Sequence, residues 1–384
     1  MANQRFARLL ALVALLVGVS GIAFYLRRPK NEPDALQPGI LQARIDEPEY
    51  QPSASADELL KLAERTADEL IGDYPDDPGT WSVQARRHYL LSETAQASAL
   101  WRKSLKLDPT FAEAFFGLGL VALDNDQHAQ AAERFEDVAR LDSKEPRVPV
   151  LRAKALMLAG RAEDAILILE QHVSTERTSA EAWEMAGQAY LQAQDFKRAA
   201  ASFAVAVRAV PDMKDAVYGL SRAYAGLGDS QKASDYAEKF RKLAEAAHVE
   251  NAENAKLFRD RDFAAHVAAQ AQADAARVYL RYTNARRAED LLLRAVRLEP
   301  ASVEFLGQLQ QSLQQRGAQA QAAEIGERIV ELEPKRLDQW LNLGWLYSQL
   351  NVPDKAIAAC QKAIDLSPED PRCRQAYEII QRFQ

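Results

Sequence analysis

Apolar and small residues recur along this chain in a pattern typical of paired helices. From residue 78 onward, they follow the three- and four-residue spacing of a helix that faces a core, interrupted by short polar turns. The arrangement repeats every 34 residues, with starts at 78, 112, 146, 180 and 214, and again at 269, 303 and 337. A period of this length indicates a stack of similar helical hairpins.

Two repeats show the pattern in full, at positions 4, 7, 8, 11, 20, 24, 27 and 32 of the 34 residues. Small residues at positions 8 and 20 let two helices cross closely, and large residues at positions 4, 11 and 24 fill the space beside the crossing. Proline at position 32 ends the second helix. The residues are Trp183, Ala186, Gly187, Tyr190, Ala199, Phe203, Ala206 and Pro211 in one repeat, and Trp340, Leu343, Gly344, Tyr347, Ala356, Cys360, Ala363 and Pro368 in the other.

These residues resemble the tetratricopeptide repeat (TPR) family, and the resemblance covers roughly residues 56–384. It implies an all-α fold, a right-handed α-solenoid of about eight helical hairpins whose first helices line a concave groove. It also resembles the membrane-anchored bacterial members of that family. Because one fold hosts many functions, the resemblance identifies no partner.

The period also predicts the domain boundaries. The 55-residue step from 214 to 269 leaves 21 extra residues, which we interpret as lengthened helices because they contain neither proline nor glycine over most of their length. A solenoid needs a cap at each end. We therefore predict an N-terminal capping helix (half a repeat) at 56–77, repeats 1–5 at 78–248, a helical insertion at 249–268, repeats 6–8 at 269–368 and a C-terminal capping helix at 369–384.

The N-terminal region predicts a membrane anchor. After a short tail at 1–8, residues 9–26 are 18 residues without a charge, and as a helix they would span roughly 27 Å, close to a bilayer core of about 30 Å. We predict a single transmembrane signal-anchor helix at 9–27 and a proline-rich linker at 28–55. A cleaved signal peptide is the alternative, because small residues flank Val19. Basic residues lie on both sides of the segment, so their distribution does not decide the orientation of the helix in the membrane. The segment resembles an export signal, and we therefore expect the repeats on the extracytoplasmic (periplasmic) side.

Composition and charge narrow the function. The formal net charge is -7, and a nucleic-acid-binding domain is usually basic, so we expect no nucleic-acid partner. None of the five histidines has metal-ligand spacing, and no phosphate-binding loop or nucleophile motif occurs. We therefore predict that the protein is not an enzyme, with no catalytic residues, no metal and no cofactor.

A protein or peptide partner is expected in the groove. In the family, positions 2, 5, 9, 12 and 13 of each repeat point into it, and exposed aromatic and arginine residues there are typical of protein interfaces. Trp345 and Phe116 are the aromatic residues we expect to be exposed. The candidate groove residues are Tyr89, Phe116, Leu120, Leu123, Gln188, Tyr218, Arg222, Arg277, Arg281 and Trp345.

Two cysteines suggest a link between the last repeat and the cap. Cys360 occupies position 24 of the last repeat and Cys373 lies at the start of the C-terminal cap, so the two could be neighbours. Either they form a disulfide, which requires an oxidising compartment, or they are two small buried side chains.

Together, these features predict a membrane-anchored scaffold for protein–protein interaction. The alternative is a non-catalytic accessory subunit that holds client proteins in envelope or cytochrome assembly.

Overall fold

The computed structural model describes residues 54–141, 145–175, 179–254 and 259–381, and within these residues it contains eighteen helices and no strand. The predicted membrane segment at 9–27 and all but the last two residues of the predicted linker lie outside the described residues. Among the helices that are described, none is both long and apolar enough to cross a membrane. The all-α prediction is confirmed for this part of the chain.

The helices follow one another in pairs, and we name the first helix of each repeat its A helix and the second its B helix. In chain order they are α1 (Ala56–Asp73), α2 (Pro78–Leu90), α3 (Thr94–Leu107), α4 (Ala112–Asp124), α5 (His128–Arg140), α6 (Val148–Leu158), α7 (Ala162–Thr175), α8 (Ala180–Gln192), α9 (Phe196–Ala209), α10 (Lys214–Gly226), α11 (Ser230–Asn254), α12 (Arg259–Arg281), α13 (Ala285–Leu298), α14 (Val303–Arg316), α15 (Gln319–Leu332), α16 (Leu337–Gln349), α17 (Pro353–Leu366) and α18 (Pro371–Gln381).

Each A helix of the eight repeats is followed by a residue with left-handed backbone, always at position 15 of the 34-residue period. The φ angles lie between 56° and 85°. This conformation closes a helix because it turns the next backbone N–H groups onto the last carbonyls, as when the N–H of Asp195 donates to the carbonyl of Tyr190 at 2.9 Å. The eight residues are Ser92, Asp126, Gly160, Gln194, Gly228, Thr283, Gly317 and Asn351.

In repeats 1, 2 and 4 a large aromatic side chain at position 24 forms the centre of a packing layer. Trp101 and Phe135 are both buried. Each lies against a glycine: a Cβ added to Gly117 would stand 2.1 Å from the ring of Trp101, and one added to Gly119 would stand 2.8 Å from that of Phe135. The helices can approach this closely only because those positions carry no side chain.

Two of the position-4 tryptophans connect a repeat to the one before it. The indole Nε1 of Trp81 donates to the carbonyl of Pro75 at 2.7 Å, and that of Trp340 donates to the carbonyl of Pro334 at 2.9 Å. Both prolines stand at position 32 of the preceding frame. The paired tryptophan and proline therefore fix the turn between successive repeats through a hydrogen bond as well as by packing.

Contacts divide the described chain into two units, which we describe separately. One unit is Ala67–Asp262, and it holds α2 to α11 together with the end of α1 and the first residues of α12. The other comprises the described residues up to Thr66 together with Phe263–Gln384. The two longest helices, α11 with 25 residues and α12 with 23, occupy the place where the period is interrupted, and the extra residues lengthen both of them.

The first half of α1 belongs to the unit of repeats 6–8, a placement that the repeat pattern did not indicate. The amide Nε2 of Gln272 on α12 donates to the Thr66 hydroxyl at 2.6 Å, and both groups are buried. Leu59 and Leu62 of α1 are buried as well. Helix α12 is enclosed on all sides from Ala264 to Ala276, apart from a half-buried His266. The role of residues 56–77 as an N-terminal cap stays a prediction.

Candidate functional site: a cleft across three A helices

A cleft of about 450 Å³ lies across the A helices of repeats 3, 4 and 5 in the unit Ala67–Asp262. Helix α8 contacts both α6 and α10, so the 34-residue period brings equivalent faces of these helices side by side. We call this cavity the A-helix cleft. Its lining residues are Met157, Gln188, Leu191, Gln192, Phe203, Asp215, Tyr218, Gly219 and Arg222.

The floor of the A-helix cleft is the ring of Phe203, which comes from the B helix α9. The ring is fully buried between two glycines of successive A helices: a Cβ on Gly187 would lie 2.7 Å from it, and one on Gly219 would lie 2.3 Å from it. Met157 and Leu191, both half-buried, add apolar surface beside it. The middle of the cleft is therefore apolar and held by tight packing.

Two glutamines form the polar part of the wall. The amide of Gln192 donates to the backbone carbonyl of Met157 at 3.1 Å, which links α8 to α6. The amide of Gln188 donates to the carboxylate of Glu184, one turn earlier on α8. Each amide thereby uses one of its two N–H groups, so a second N–H and the amide oxygen can still donate to and accept from a ligand.

Glu184 gives this end of the A-helix cleft a charge that depends on pH. Its side chain is 7% exposed, and burial raises its pKa to about 7, with a further increase from the nearby carboxylates of Asp215 and Glu181. The bond from Gln188 and the charge of Lys154 act in the opposite direction. The carboxyl group is thus partly protonated near neutral pH.

Tyr218 and Arg222 form the opposite rim, on α10. The Tyr218 ring is 47% exposed and rests on Phe240 with ring centroids 5.0 Å apart. The Arg222 guanidinium carbon lies 6.0 Å from the centre of the Tyr218 ring. Arg222 and Asp215 are both exposed, and neither forms an ion pair with another residue in the described part of the chain. Charged groups of both signs therefore point towards solvent at the cleft.

The structure brings three of the ten predicted groove residues together: Gln188, Tyr218 and Arg222 all line the A-helix cleft. Six further lining residues were not among the candidates, namely Phe203, Gly219, Met157, Leu191, Gln192 and Asp215. The last four stand at position 2, 12 or 13 of their repeats, so the same positional rule would have found them if it had been applied to every repeat.

Two predicted aromatic residues are not exposed, and that expectation is wrong. Phe116 is 5% exposed, because its ring packs against Phe135 at 5.8 Å and the guanidinium of Arg147 covers it at 4.9 Å. Trp345 is also 5% exposed. Both residues stand on A-helix faces that the neighbouring helices cover, so alanine at either position would leave a cavity as well as remove a contact.

The other candidates are spread along the chain. The Tyr89 ring packs against Trp101 at 5.8 Å, and Leu120 and Leu123 are half-buried beside the core of repeats 2 to 5. Arg277 is paired with Asp274 at 2.5 Å in the unit of repeats 6–8, and Arg281 on the same helix is exposed. None of these five lines the A-helix cleft, and their role in binding stays a prediction.

The two cysteines are both fully buried, and both are free thiols in the structure. Burial raises the pKa of the Cys360 thiol to about 12, and Cys373 is near enough to raise it further. The neighbourhood that the sequence indicated is therefore present, whereas disulfide formation stays a prediction.

Several solved structures of repeat proteins resemble this chain. The TPR protein YrrB, described as having an unusual peptide-binding site, is 21% identical over 48% of this chain and 97% of that chain, with a TM-score of 0.42. MamA from Desulfovibrio magneticus RS-1 is 16% identical over 44% of this chain and 97% of its own, with a TM-score of 0.42. The TPR domain of P58(IPK) is 17% identical over 86% and 98%, with a TM-score of 0.26.

Comparison with curated proteins of known function gives no match. Three family models do match, each described as a tetratricopeptide repeat: one at residues 122–189, one at 83–146 and 184–248, and one at 339–370. They fall on repeats that the 34-residue period predicts and on the helices of the A-helix cleft. The chain therefore belongs to the tetratricopeptide repeat family.

Proposed function

We propose that this protein is a scaffold that binds a segment of a partner protein in the A-helix cleft. The observation that carries the proposal is the combination of an apolar floor with exposed Tyr218 and Arg222 at the rim. Tyrosine and arginine are the residue types over-represented among the side chains that dominate protein interfaces. A cleft with a rigid floor also binds at a low cost in ordering, because its own side chains are already fixed.

The scaffold acts at a membrane, held by the N-terminal segment. The uncharged run at residues 9–26 and the prolines that follow it support an anchor and a stiff spacer, with the repeats on the extracytoplasmic side. Deleting residues 9–27 should move the protein from the alkali-resistant membrane fraction to the supernatant. If the full chain is itself extracted by alkali, the anchor proposal is wrong.

Site-specific photo-crosslinking in intact membranes tests the binding site. A photoreactive phenylalanine analogue in place of Tyr218 should give a discrete cross-linked product that ultraviolet light produces reproducibly. The matched control replaces Leu167 of α7, which is 65% exposed and lies outside the cleft lining.

The comparison between the two positions decides the result. A product at residue 218 that is missing at residue 167, and that disappears in the Arg222→Ala variant, supports binding in the cleft. Equal products at both positions, or none at residue 218, would overturn the proposed function.

A further inference from the structure

We propose that the A-helix cleft selects an extended segment that carries an acidic residue, an apolar residue and a basic residue in that order along the cleft, with the acidic side chain at Arg222 and the basic one at Asp215. This inference rests on the proposed function and specifies the partner chemistry of the same site. It follows from the placement of charge on α10 and of apolar surface between the charges.

The two charges stand at opposite ends of the cleft. Asp215 and Arg222 are seven residues apart on one helix and both line the cavity, so at 1.5 Å per residue they are about 10 Å apart along the axis. An extended chain advances about 3.3 Å per residue and its successive side chains point to opposite faces, so ligand side chains that face the cleft together are about 7 Å (two residues) or about 13 Å (four residues) apart, which brackets that distance. Side chains of opposite sign on a ligand can therefore meet both ends at once.

The end at Asp215 is acidic as a whole. Asp215 and Glu181 lie close enough to Glu184 for their charges to raise its pKa, and Lys154 is the opposing charge in the same surroundings. Two exposed carboxylates and the partly ionised Glu184 outnumber the one basic group, so this end attracts a cation. At the other end Arg222 has no carboxylate partner within the described chain, so an acidic ligand side chain would be its ion-pair partner.

An apolar side chain fits between the two ends. Met157, Leu191 and the exposed ring of Tyr218 line the middle, and the fully buried ring of Phe203 lies beneath them, packed tightly against Gly219. Gln188 and Gln192 line the same space, and each uses only one amide N–H for its bond within the protein. They can accept the backbone N–H groups of an extended segment, which suits a peptide better than a folded surface.

Selection from a peptide library tests the charge order. Random twelve-residue peptides displayed on phage would be selected on the full chain in lipid nanodiscs, in parallel with Tyr218→Ala, Arg222→Glu and the control Arg208→Glu. Arg208 is exposed on α9 outside the cleft lining, so this control reproduces the change in net charge alone. All three substituted side chains are exposed, so the fold should be retained, which circular dichroism would check.

We expect the wild type and Arg208→Glu to enrich peptides with the acidic, apolar and basic order, and Arg222→Glu to enrich peptides with a basic residue in place of the acidic one. A peptide that carries the acidic residue should bind Arg222→Glu about tenfold or more weakly than it binds the wild type. The same peptide with lysine in place of that acidic residue should bind Arg222→Glu more tightly than it binds the wild type. Peptides that need Tyr218 but ignore the charge at residue 222 would overturn the charge order and leave the proposed function standing. If no enriched peptide depends on Tyr218, both proposals fail.

Discussion

Phe203 shows how much depends on single glycines in this array. Its ring fills the space between α8 and α10, and a Cβ at residue 219 would stand 2.3 Å from it. Because the ring is fully buried and forms the cleft floor, it has no direction in which to move without opening a gap. The stability of repeats 4 and 5 and the shape of the cleft therefore depend on the same contact.

Gly219→Ala should destabilise the protein by ~2 kcal/mol, as expected for a side chain forced into a filled core. The measurement is the midpoint of urea unfolding. The control is Gly72→Ala in α1, where an added Cβ meets nothing within 4 Å and alanine should be neutral or stabilising by ~0.5 kcal/mol. Equal midpoints for the two variants would show that the close approach at residue 219 does not exist.

Glu184 makes stability depend on pH. Its pKa is raised from 4.5 to about 7 by burial, so the folded state disfavours the charged form. Its favourable contribution is complete below about pH 4.5 and is lost as pH rises through about 7. We expect Glu184→Gln to be more stable than the wild type at pH 8 by ~1 kcal/mol and to match it near pH 5. Unfolding curves at both pH values measure this difference, and a constant difference between pH 5 and pH 8 would contradict it.

At the residue scale, the sequence predicted which helix face a residue lies on better than it predicted whether the residue is exposed. The 34-residue frame identified Tyr218 and Arg222 as residues on the groove side, and both line the cleft. It failed for Trp345 and Phe116, because a repeat pattern identifies the helix face but not which neighbouring side chain covers it. Phe116 is covered by Arg147 of the next repeat, whose guanidinium lies over the ring. A pattern defined within one repeat cannot predict a contact between two repeats.

At the scale of the helical hairpin, a tyrosine at position 11 makes the same cation–π contact in four repeats. A basic residue at position 19 lies over its ring, with distances from the charged group to the ring centre of 4.5 to 6.0 Å. In two repeats a glutamate from the preceding B helix also accepts the tyrosine hydroxyl and pairs with that basic residue. The pairs are Tyr190 with Arg198, Tyr224 with Lys232, Tyr279 with Arg287, and Tyr347 with Lys355.

Tyr190→Phe should cost ~1 kcal/mol, because the hydroxyl donates to the Glu170 carboxylate at 2.5 Å in a part-buried setting. Tyr224→Phe is the matched control: it stands at the same position, and its hydroxyl makes no hydrogen bond within the described residues. It should change the free energy of unfolding by no more than ~0.3 kcal/mol. The prediction is wrong if both variants lose the same stability in thermal unfolding.

The left-handed turn at position 15 offers a second test at this scale. Gln194 adopts a φ of 61° there, whereas Gly228 holds the equivalent place in the next repeat. A left-handed conformation costs an ordinary side chain about 1 kcal/mol and costs glycine almost nothing. We expect Gln194→Gly to stabilise by ~0.5 to 1 kcal/mol and Gly228→Ala to destabilise by ~1 kcal/mol in chemical denaturation. Effects of the same sign would exclude backbone strain as the cause.

The hairpins themselves were predictable because their period survives in the sequence. Six of the eight predicted repeat starts coincide with the first residue of an A helix, at 78, 112, 180, 214, 303 and 337. The exception at residue 269 follows from the insertion, whose residues continue α12 towards its N-terminus as far as Arg259. A period of 34 residues cannot indicate where an extended helix begins.

At the scale of the whole molecule, the described chain is more than a linear series of neighbours. The hydrogen bond from Gln272 to Thr66 joins residues 206 positions apart, and the clustering of contacts places the first half of α1 with repeats 6–8. Repeat periodicity describes only adjacent hairpins. A contact between the first helix and the sixth repeat therefore lies outside what such a pattern can predict.

Leu59→Ala tests this association. The side chain is 1% exposed in the half of α1 that belongs with repeats 6–8, so its loss should cost ~2 to 4 kcal/mol. Amide hydrogen exchange should then be faster in α12, while repeats 1 and 2 keep their protection. The control is Lys61→Ala on the same helix, whose ion pair with Asp57 is exposed. Faster exchange in repeats 1 and 2 alone would show that Leu59 serves as an ordinary end cap.

The association also has a consequence for biosynthesis. A ribosome makes α1 before the other described helices, yet Thr66 of α1 accepts a hydrogen bond from Gln272, which is synthesised 206 residues later. Local hairpins can close as they emerge, whereas a contact of such long sequence separation has to wait and forms slowly. The first helix should therefore gain full protection later than the helices of repeats 1 to 5, so the newly made chain keeps an uncovered apolar helix until repeat 6 has been translated.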